Sequence, residues 1–436
     1  MAKAACIAHA GTTSSLPFLT ATERMSSPAT QTSETNWTGV SYGIVLGFVA
    51  AYFQFKVPPV LPVMFELYGY EKTFGSGFMS TFAVAGMLIS MRVGRAIRRD
   101  GAQRYLFAAF ALMLGGTALG LLWPESATIM LVSRTIEGLG AAVLAVCMPA
   151  FANMSAGPNH LPIIVGAQAT WIPVGQLTAN LVAQPSVAID IWQPVWWFGA
   201  FATVLIALWT WYIIRGNRVP GVVHKRAAPP DSVADTTAGE AAPITAAETR
   251  ALWLAAVLFF LWQAQFMGYF TWLPVYLVET RAIAADGAVL INQIPVVVLL
   301  VFALVGGMIL KTGIGVIRLL TIALTLQAAG WLMGALATTP AMGVASLVVW
   351  GVAAGLTPAS LWSLPSTLVG GHRAGTDAFA VVLTGRYLGI LAGPLIASEV
   401  FRATGDWIVV VYAFIAIAVA TIAGTLYLGV RMRALR

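Results

Sequence analysis

Charged side chains are scarce in this sequence: Asp, Glu, Lys and Arg make up 9% of it, against about 25% in soluble domains. So few charges cannot cover a water-facing surface, which excludes a soluble enzyme and turns most of the outer surface towards lipid. Cysteine is scarcer still. Cys6 and Cys147 stand far apart, which excludes a disulfide framework and a cysteine metal site. The histidines His9, His160, His224 and His372 fall in the N-terminal segment or in predicted loops, so no intramembrane haem or histidine-bound metal is expected. No Walker A phosphate loop occurs, so ATP is not the expected energy source. No cofactor is expected. The net charge of +7 is not a nucleic-acid signal, because its placement along the chain has another cause.

Apolar residues, by contrast, reach 59% and come in long runs. A helix needs about 20 of them to cross the hydrocarbon core. That rule predicts an all-α membrane protein with twelve spans, at 38–65, 74–93, 104–123, 127–152, 161–184, 194–215, 250–279, 287–310, 316–337, 341–368, 375–398 and 407–430. With both termini inside, 18 of the 24 Lys and Arg residues fall in inner segments and 3, Lys72, Arg281 and Arg402, in outer loops. This asymmetry is the positive-inside pattern, and it places both termini in the cytoplasm. Residues 1–36 read as a disordered cytoplasmic tail rather than a signal peptide, with Met25 an alternative start. Residues 37–215 form an N-terminal six-helix bundle and 250–430 a C-terminal one. The segment 216–249, rich in Ala, Pro, Thr and Asp between Ala227 and Pro243, reads as a cytoplasmic linker, and 431–436 as a short cytoplasmic tail.

The two halves repeat. Gly94-x4-Arg99-x-Gly101 recurs as Gly306-x4-Lys311-x-Gly313, and Leu61-Pro62-Val63 recurs as Leu273-Pro274-Val275, both at an offset of 212 residues. Arg134-x-x-Glu137-Gly138-x-Gly140 and Gly389-x3-Gly393-Pro394 mark the predicted fourth and eleventh spans. Together these motifs resemble those of the major facilitator superfamily (MFS) over roughly residues 38–430. The loop motif departs from the family pattern at Arg98, where the family prefers Asp, and at Ala102, where it prefers a base. Val57-Pro58-Pro59-Val60-Leu61-Pro62 is similar to a phrase of the cyanate and nitroimidazole permease-type branch. The resemblance implies two pseudo-symmetric six-helix bundles that rock about a substrate near the midplane, with Gly94, Arg99, Gly101, Arg134 and Glu137 in coupling or gating. It also implies a monomer in the bacterial inner membrane. Gly138, Gly140, Gly351 and Gly355 would let helices approach closely.

Four ionisable residues sit well inside predicted spans: Lys56, Arg134, Glu137 and Arg386. Each costs about 2.5–3.5 kcal/mol at a helix centre, so they should face a wet cavity or one another. Arg134 and Glu137, three apart on one helix, can pair directly. Lys56 and Arg386 have no acid one turn away. Lys56 either faces the cavity or snorkels outward; Arg386 either holds substrate or pairs with Glu137 across the cavity. The interior surplus of positive charge favours an anionic substrate, with Tyr52, Gln263, Tyr387 and Trp171 as further binding residues and Asn292 and Gln293 nearby.

The sequence therefore leads to a secondary active transporter of a small organic or inorganic anion, by proton symport or exchange against a counter-anion. An exporter of neutral or anionic drugs or metabolites is the alternative. A receptor or membrane enzyme is remote, since no nucleophile, base and orienting group cluster in the spans.

Overall fold

A computed structural model describes residues 34–157, 159–219, 222, 244–370 and 376–434. The N-terminal tail through residue 33, including Met25, lies outside the described residues. So do most of the linker (220–221 and 223–243), Arg373 in a predicted inner loop, and the side chain of Arg98.

Fourteen α-helices and one 3₁₀ turn make up the described chain: α1 Trp37–Phe55, η1 Pro58–Val60, α2 Leu61–Tyr68, α3 Lys72–Asp100, α4 Gln103–Leu122, α5 Ala127–Met154, α6 Leu161–Gln168, α7 Trp171–Val187, α8 Gln193–Arg215, α9 Ala246–Arg281, α10 Ala285–Lys311, α11 Val316–Ala335, α12 Pro340–Val369, α13 Thr376–Thr404 and α14 Trp407–Ala434. No strand occurs among the described residues. Ten of these helical stretches, counting Trp37–Tyr68 as one, are long and apolar enough to cross a membrane. The twelve expected spans differ from these ten at α3 and at α6–α7.

Two expected continuous spans are broken. The first stops at Phe55 and resumes only after η1. Pro58 and Pro59 lack the N–H groups that the carbonyls of Gln54 and Phe55 would need, so the α-helix cannot run through them. The fifth splits into α6 and α7 at Ala169–Thr170. Pro173, in the first turn of α7, again removes the donor that would continue the helix. The seventh span starts earlier than its apolar run. Thr245 accepts from the Glu248 N–H at 3.2 Å and the Glu248 carboxylate accepts from the Thr245 N–H at 2.8 Å, a capping box that fixes the start of α9.

Helices α1–α8 pack mainly on one another, as do α9–α14; between the two groups, α3 meets α13, α7 meets α10, and η1 and α2 meet α9. The α2-distal end of α1 and the α8 C-terminus share one end of the molecule: the Asn36 side chain donates to the Arg218 carbonyl at 2.7 Å. We call this the near end.

Small residues set the helix spacing. A Cβ on Gly138 would lie 2.6 Å from the Phe82 carbonyl oxygen, and one on Gly140 2.6 Å from that of Ala109. Gly351 and Gly355 seat α12 against the carbonyls of Pro295 and Leu299 on α10. The closest approach is α13 on α9, where Gly385, Gly389 and Gly393 face the carbonyls of Ala256, Phe260 and Ala264. Gly389→Val should therefore cost about 1–3 kcal/mol by overpacking, measured by thermal unfolding in detergent. Gly115→Val, where a Cβ meets nothing within 4 Å, should change stability by no more than about 0.5 kcal/mol.

Candidate functional site

The break after α1 leaves backbone carbonyls without helical partners inside the membrane region, where each must find one. Two cations gather there. Arg134 on α5 donates from Nη2 to the Phe53 carbonyl at 2.8 Å and from Nε to the Phe78 carbonyl of α3 at 3.3 Å. Lys56, at the C-cap of α1, points its ammonium inward. A helix C-terminus attracts positive charge, and both groups answer it. Glu137 joins them: Lys56 Nζ donates to Oε1 at 2.7 Å, and Arg134 Nη1 donates to Oε2. Thr117 on α4 adds a third donor to Oε1 at 2.7 Å. The rings of Phe53 and Trp196 flank the ammonium at 4.4 and 4.3 Å from their centroids. All three ionic side chains are 0% exposed.

This cluster decides two alternatives. Lys56 does not snorkel; it pairs with Glu137. Arg386 does not pair with Glu137: among the described residues it makes no ion pair, and it lies half-buried on α13 with its guanidinium 5.5 Å from the Tyr387 ring centroid. The triad carries one net positive charge, and Arg386 adds another. No described contact joins Lys56 to Arg386, so the two proposed anion-binding cations belong to different helix groups.

The remaining expected site residues divide. Tyr52 donates its hydroxyl to the Val195 carbonyl at 2.6 Å, which ties α1 to α8 and leaves the phenol committed. Trp171 begins α7 and packs over Gly47. Gln263, one turn from the α9 carbonyl under Gly389, is 5% exposed and has no hydrogen-bond partner among the described residues. Tyr387 is half-buried beside Arg386. At the near end, Gly94 touches nothing closer than Val146, 3.7 Å from a built Cβ. Gly101, with φ of 81°, closes α3 by bonding to the Ile97 carbonyl, a conformation that favours glycine. Arg99 is exposed and donates to Asp100 at 3.0 Å.

Asp100 is a residue the motif reading passed over. It accepts from Arg99, from Tyr105 at 2.9 Å and from Arg104. Hydrogen bonds from Arg99 and then Tyr105 hold its carboxyl down at about 2. An acid with local ion-pair partners thus stands two residues after the position where the family pattern has Asp.

Also unforeseen is a set of contacts between the helix groups, all at the end far from the termini. Lys72 pairs with Glu279 at 3.0 Å. Ser76 and Ser80 on α3 donate to the Pro394 and Leu391 carbonyls of α13 at 2.8 and 2.7 Å. Phe65 stacks on Trp272 with centroids 6.0 Å apart, and Asn292 donates to Asn180 at 3.3 Å. Hydroxyl-to-carbonyl bonds leave no mark in a single sequence, because serine is common in apolar helices.

The family model described as Major Facilitator Superfamily matches residues 43–394. The chain is 25% identical over 224 residues to the hexuronate transporter of Bacillus subtilis (strain 168), covering 50% of each protein. It is 25% identical over 144 residues to the MFS-type transporter ppzB of Metarhizium majus (strain ARSEF 297), covering 33% of this chain and 30% of that one. The matched part thus spans half or less of these relatives' lengths. In fold, it resembles the nucleoside transporter NupG (D323A mutant), with TM-score 0.70 and 14% identity over 89% of this chain and 99% of that one. A POT family transporter in complex with a thioalcohol-conjugated peptide gives TM-score 0.71 and 15% identity over 90% and 95%. At such identities the likeness is of fold alone.

Two outcomes follow from the geometry. Glu137→Gln leaves two buried cations facing each other and should cost about 3–5 kcal/mol, read as thermal unfolding in detergent. Lys56→Met should cost less, because Arg134 and Glu137 still neutralise each other. The double variant, whose net charge equals that of the original triad, should be more stable than Glu137→Gln alone; additive losses would contradict the coupling. At the far end, Lys72→Glu sets two carboxylates together. A half-exposed pair of this kind is worth about 1 kcal/mol, so maleimide labelling of a Ser80→Cys reporter should rise by up to about fivefold. The swap Lys72→Glu/Glu279→Lys should reverse it.

Proposed function

The chain belongs to the Major Facilitator Superfamily, and from that premise we propose that it is a secondary active transporter of a small organic anion, working by alternating access. The observation that carries the reading is the excess of cation over carboxylate among the ionisable groups within the helices: Arg386 is half-buried with no counter-charge among the described residues, and the triad adds one more positive charge. An anion entering between the helix groups supplies the missing charge. Arg386 offers a planar fork suited to a carboxylate, with Tyr387 beside it and Gln263 on α9 against Gly389 of the helix that carries Arg386. Lys56 is the second cation, released when Glu137 is protonated or when the anion competes for it. Glu137 is the carboxylate that carries the coupling proton.

The hexuronate transporter among the relatives supports a carboxylate-bearing, hydroxylated substrate. Buried amide groups without partners among the described residues fit hydroxyls: Gln176 Oε1, Asn180 Nδ2 and Asn292 Oδ1. In this reading α3 and α6–α7 also cross the bilayer, which makes twelve spans in two groups of six. The near end, which gathers most of the Arg and Lys residues, lies in the cytoplasm. The far-end contacts then close the outer side, and the chain stands open inward. The linker joins two domains, 37–215 and 250–430, that rock against each other in a monomer of the bacterial inner membrane.

Proteoliposome uptake with and without a pH gradient, across hexuronates, simple monocarboxylates, dicarboxylates, cyanate and nitrate, tests the reading and gives the direction of transport. A hydrogen bond to a charged group is worth about 1.5–3 kcal/mol, so Arg386→Gln should lower carboxylate uptake at least about tenfold in protein that remains folded. Normal uptake by that variant overturns the anion site. The charge-balanced Lys56→Met/Glu137→Gln variant should lose pH-driven accumulation while counterflow exchange continues through Arg386. Unchanged accumulation would leave Glu137 with a purely structural role.

A further inference from the structure

A cavity of about 400 Å³ opens at the far end, wholly among α9, α11, α12, α14 and the first turns of α10. No residue of α1–α8 lines it, so it does not lie between the two helix groups. Trp272 forms its wall towards the far-end contacts, since the same indole stacks on Phe65 and donates to the Pro394 carbonyl at 3.1 Å. Its interior is aromatic: Tyr269, Trp272, Trp331, Trp407 and Phe414. Close-packed interiors hold few voids larger than a water molecule, and apolar cavities of even 150 Å³ take up apolar ligands. Trp331 also carries an indole N–H with no partner among the described residues.

The rim holds one cation. Arg281 is half-buried and donates to the Tyr276 hydroxyl at 3.0 Å and to the Ala337 and Gly334 carbonyls at 3.0 and 2.8 Å. These acceptors are neutral, and no carboxylate pairs with Arg281 among the described residues. The carbonyls end α11, whose terminus carries about half a negative charge, so the guanidinium keeps a positive remainder. Exposed Thr338 and Thr339 complete the mouth.

We propose that this cavity is a binding site, separate from the transport path, for a single-chain anionic amphiphile, with the apolar chain among the aromatic rings and the anionic group at Arg281. The chemistry is shared by a free fatty acid and by one chain of an anionic phospholipid.

The test uses the full chain in phosphatidylcholine nanodiscs. A twelve-carbon fatty acid bearing a tail diazirine is photolysed, and the labelled peptides are mapped by mass spectrometry; the matching alcohol serves as the uncharged probe. The acid should label the α11 and α14 segments around Trp331 and Phe414 at least about tenfold more than the alcohol, and dodecanoate should compete. Arg281→Gln should abolish the preference for acid, and Arg281→Lys should keep part of it. Gly334→Phe fills the cavity; a Cβ there meets only the Ser346 side chain, Oγ at 3.5 Å and Cβ at 3.8 Å, so the backbone is undisturbed and labelling should be lost. Discs of phosphatidylglycerol distinguish the sources: lost labelling identifies a bilayer lipid chain, and persistent labelling a free fatty acid. Equal labelling by acid and alcohol, or labelling unchanged by Gly334→Phe, overturns the site.

Discussion

Glu137 is the pivot of the first helix group. The proline pair at 58–59 ends α1 inside the membrane region, and the unpaired carbonyls draw Lys56 and Arg134 to that point. Two cations buried together would not be tolerated without an acid. One carboxylate accepts from Lys56, Arg134 and Thr117, and so binds α1, α4 and α5; Arg134 extends the tie to α3 through the Phe78 carbonyl. Such a network is costly to assemble and more costly to break. That makes it both a structural knot and a place where a single proton would redistribute charge across four helices.

The two kinds of helix contact differ in strength. Within each group, glycines bring backbones together at distances that leave no room for a Cβ. Between the groups, the far-end contacts are two hydroxyl-to-carbonyl bonds, one amide-to-amide bond, one half-exposed ion pair and one ring stack. Each is worth about 1 kcal/mol. A set of that size is weak enough that a ligand with a modest preference for separated groups would loosen it. The aromatic cavity beside Trp272 borders this weak seam, although its walls belong to one group only.

Much of the site was visible in the sequence because charges in long apolar runs cannot be accidental. Arg134 and Glu137 were expected to pair from their spacing of three residues, and they do. The partner of Lys56 was hidden, because Glu137 lies 81 positions away and one-turn spacing says nothing about neighbouring helices. Asp100 was overlooked because the motif directs attention to position 98. The serines of α3 gave no signal, since their acceptors are backbone carbonyls on another helix.

The sequence by itself determined that this chain is helical, belongs in a membrane, repeats at 212 residues and carries a small excess of positive charge in its spans. Those properties follow from hydropathy, from charge count and from the energetic cost of burying ions. It did not determine which cations would be neutralised. Only the tertiary structure turned Lys56 inward to Glu137 and left Arg386 without a carboxylate among the described residues, because the break at Pro58–Pro59 and the glycine-set spacing of α1, α4 and α5 put Glu137 within reach of Lys56, while Arg386 stands on α13 in the other helix group.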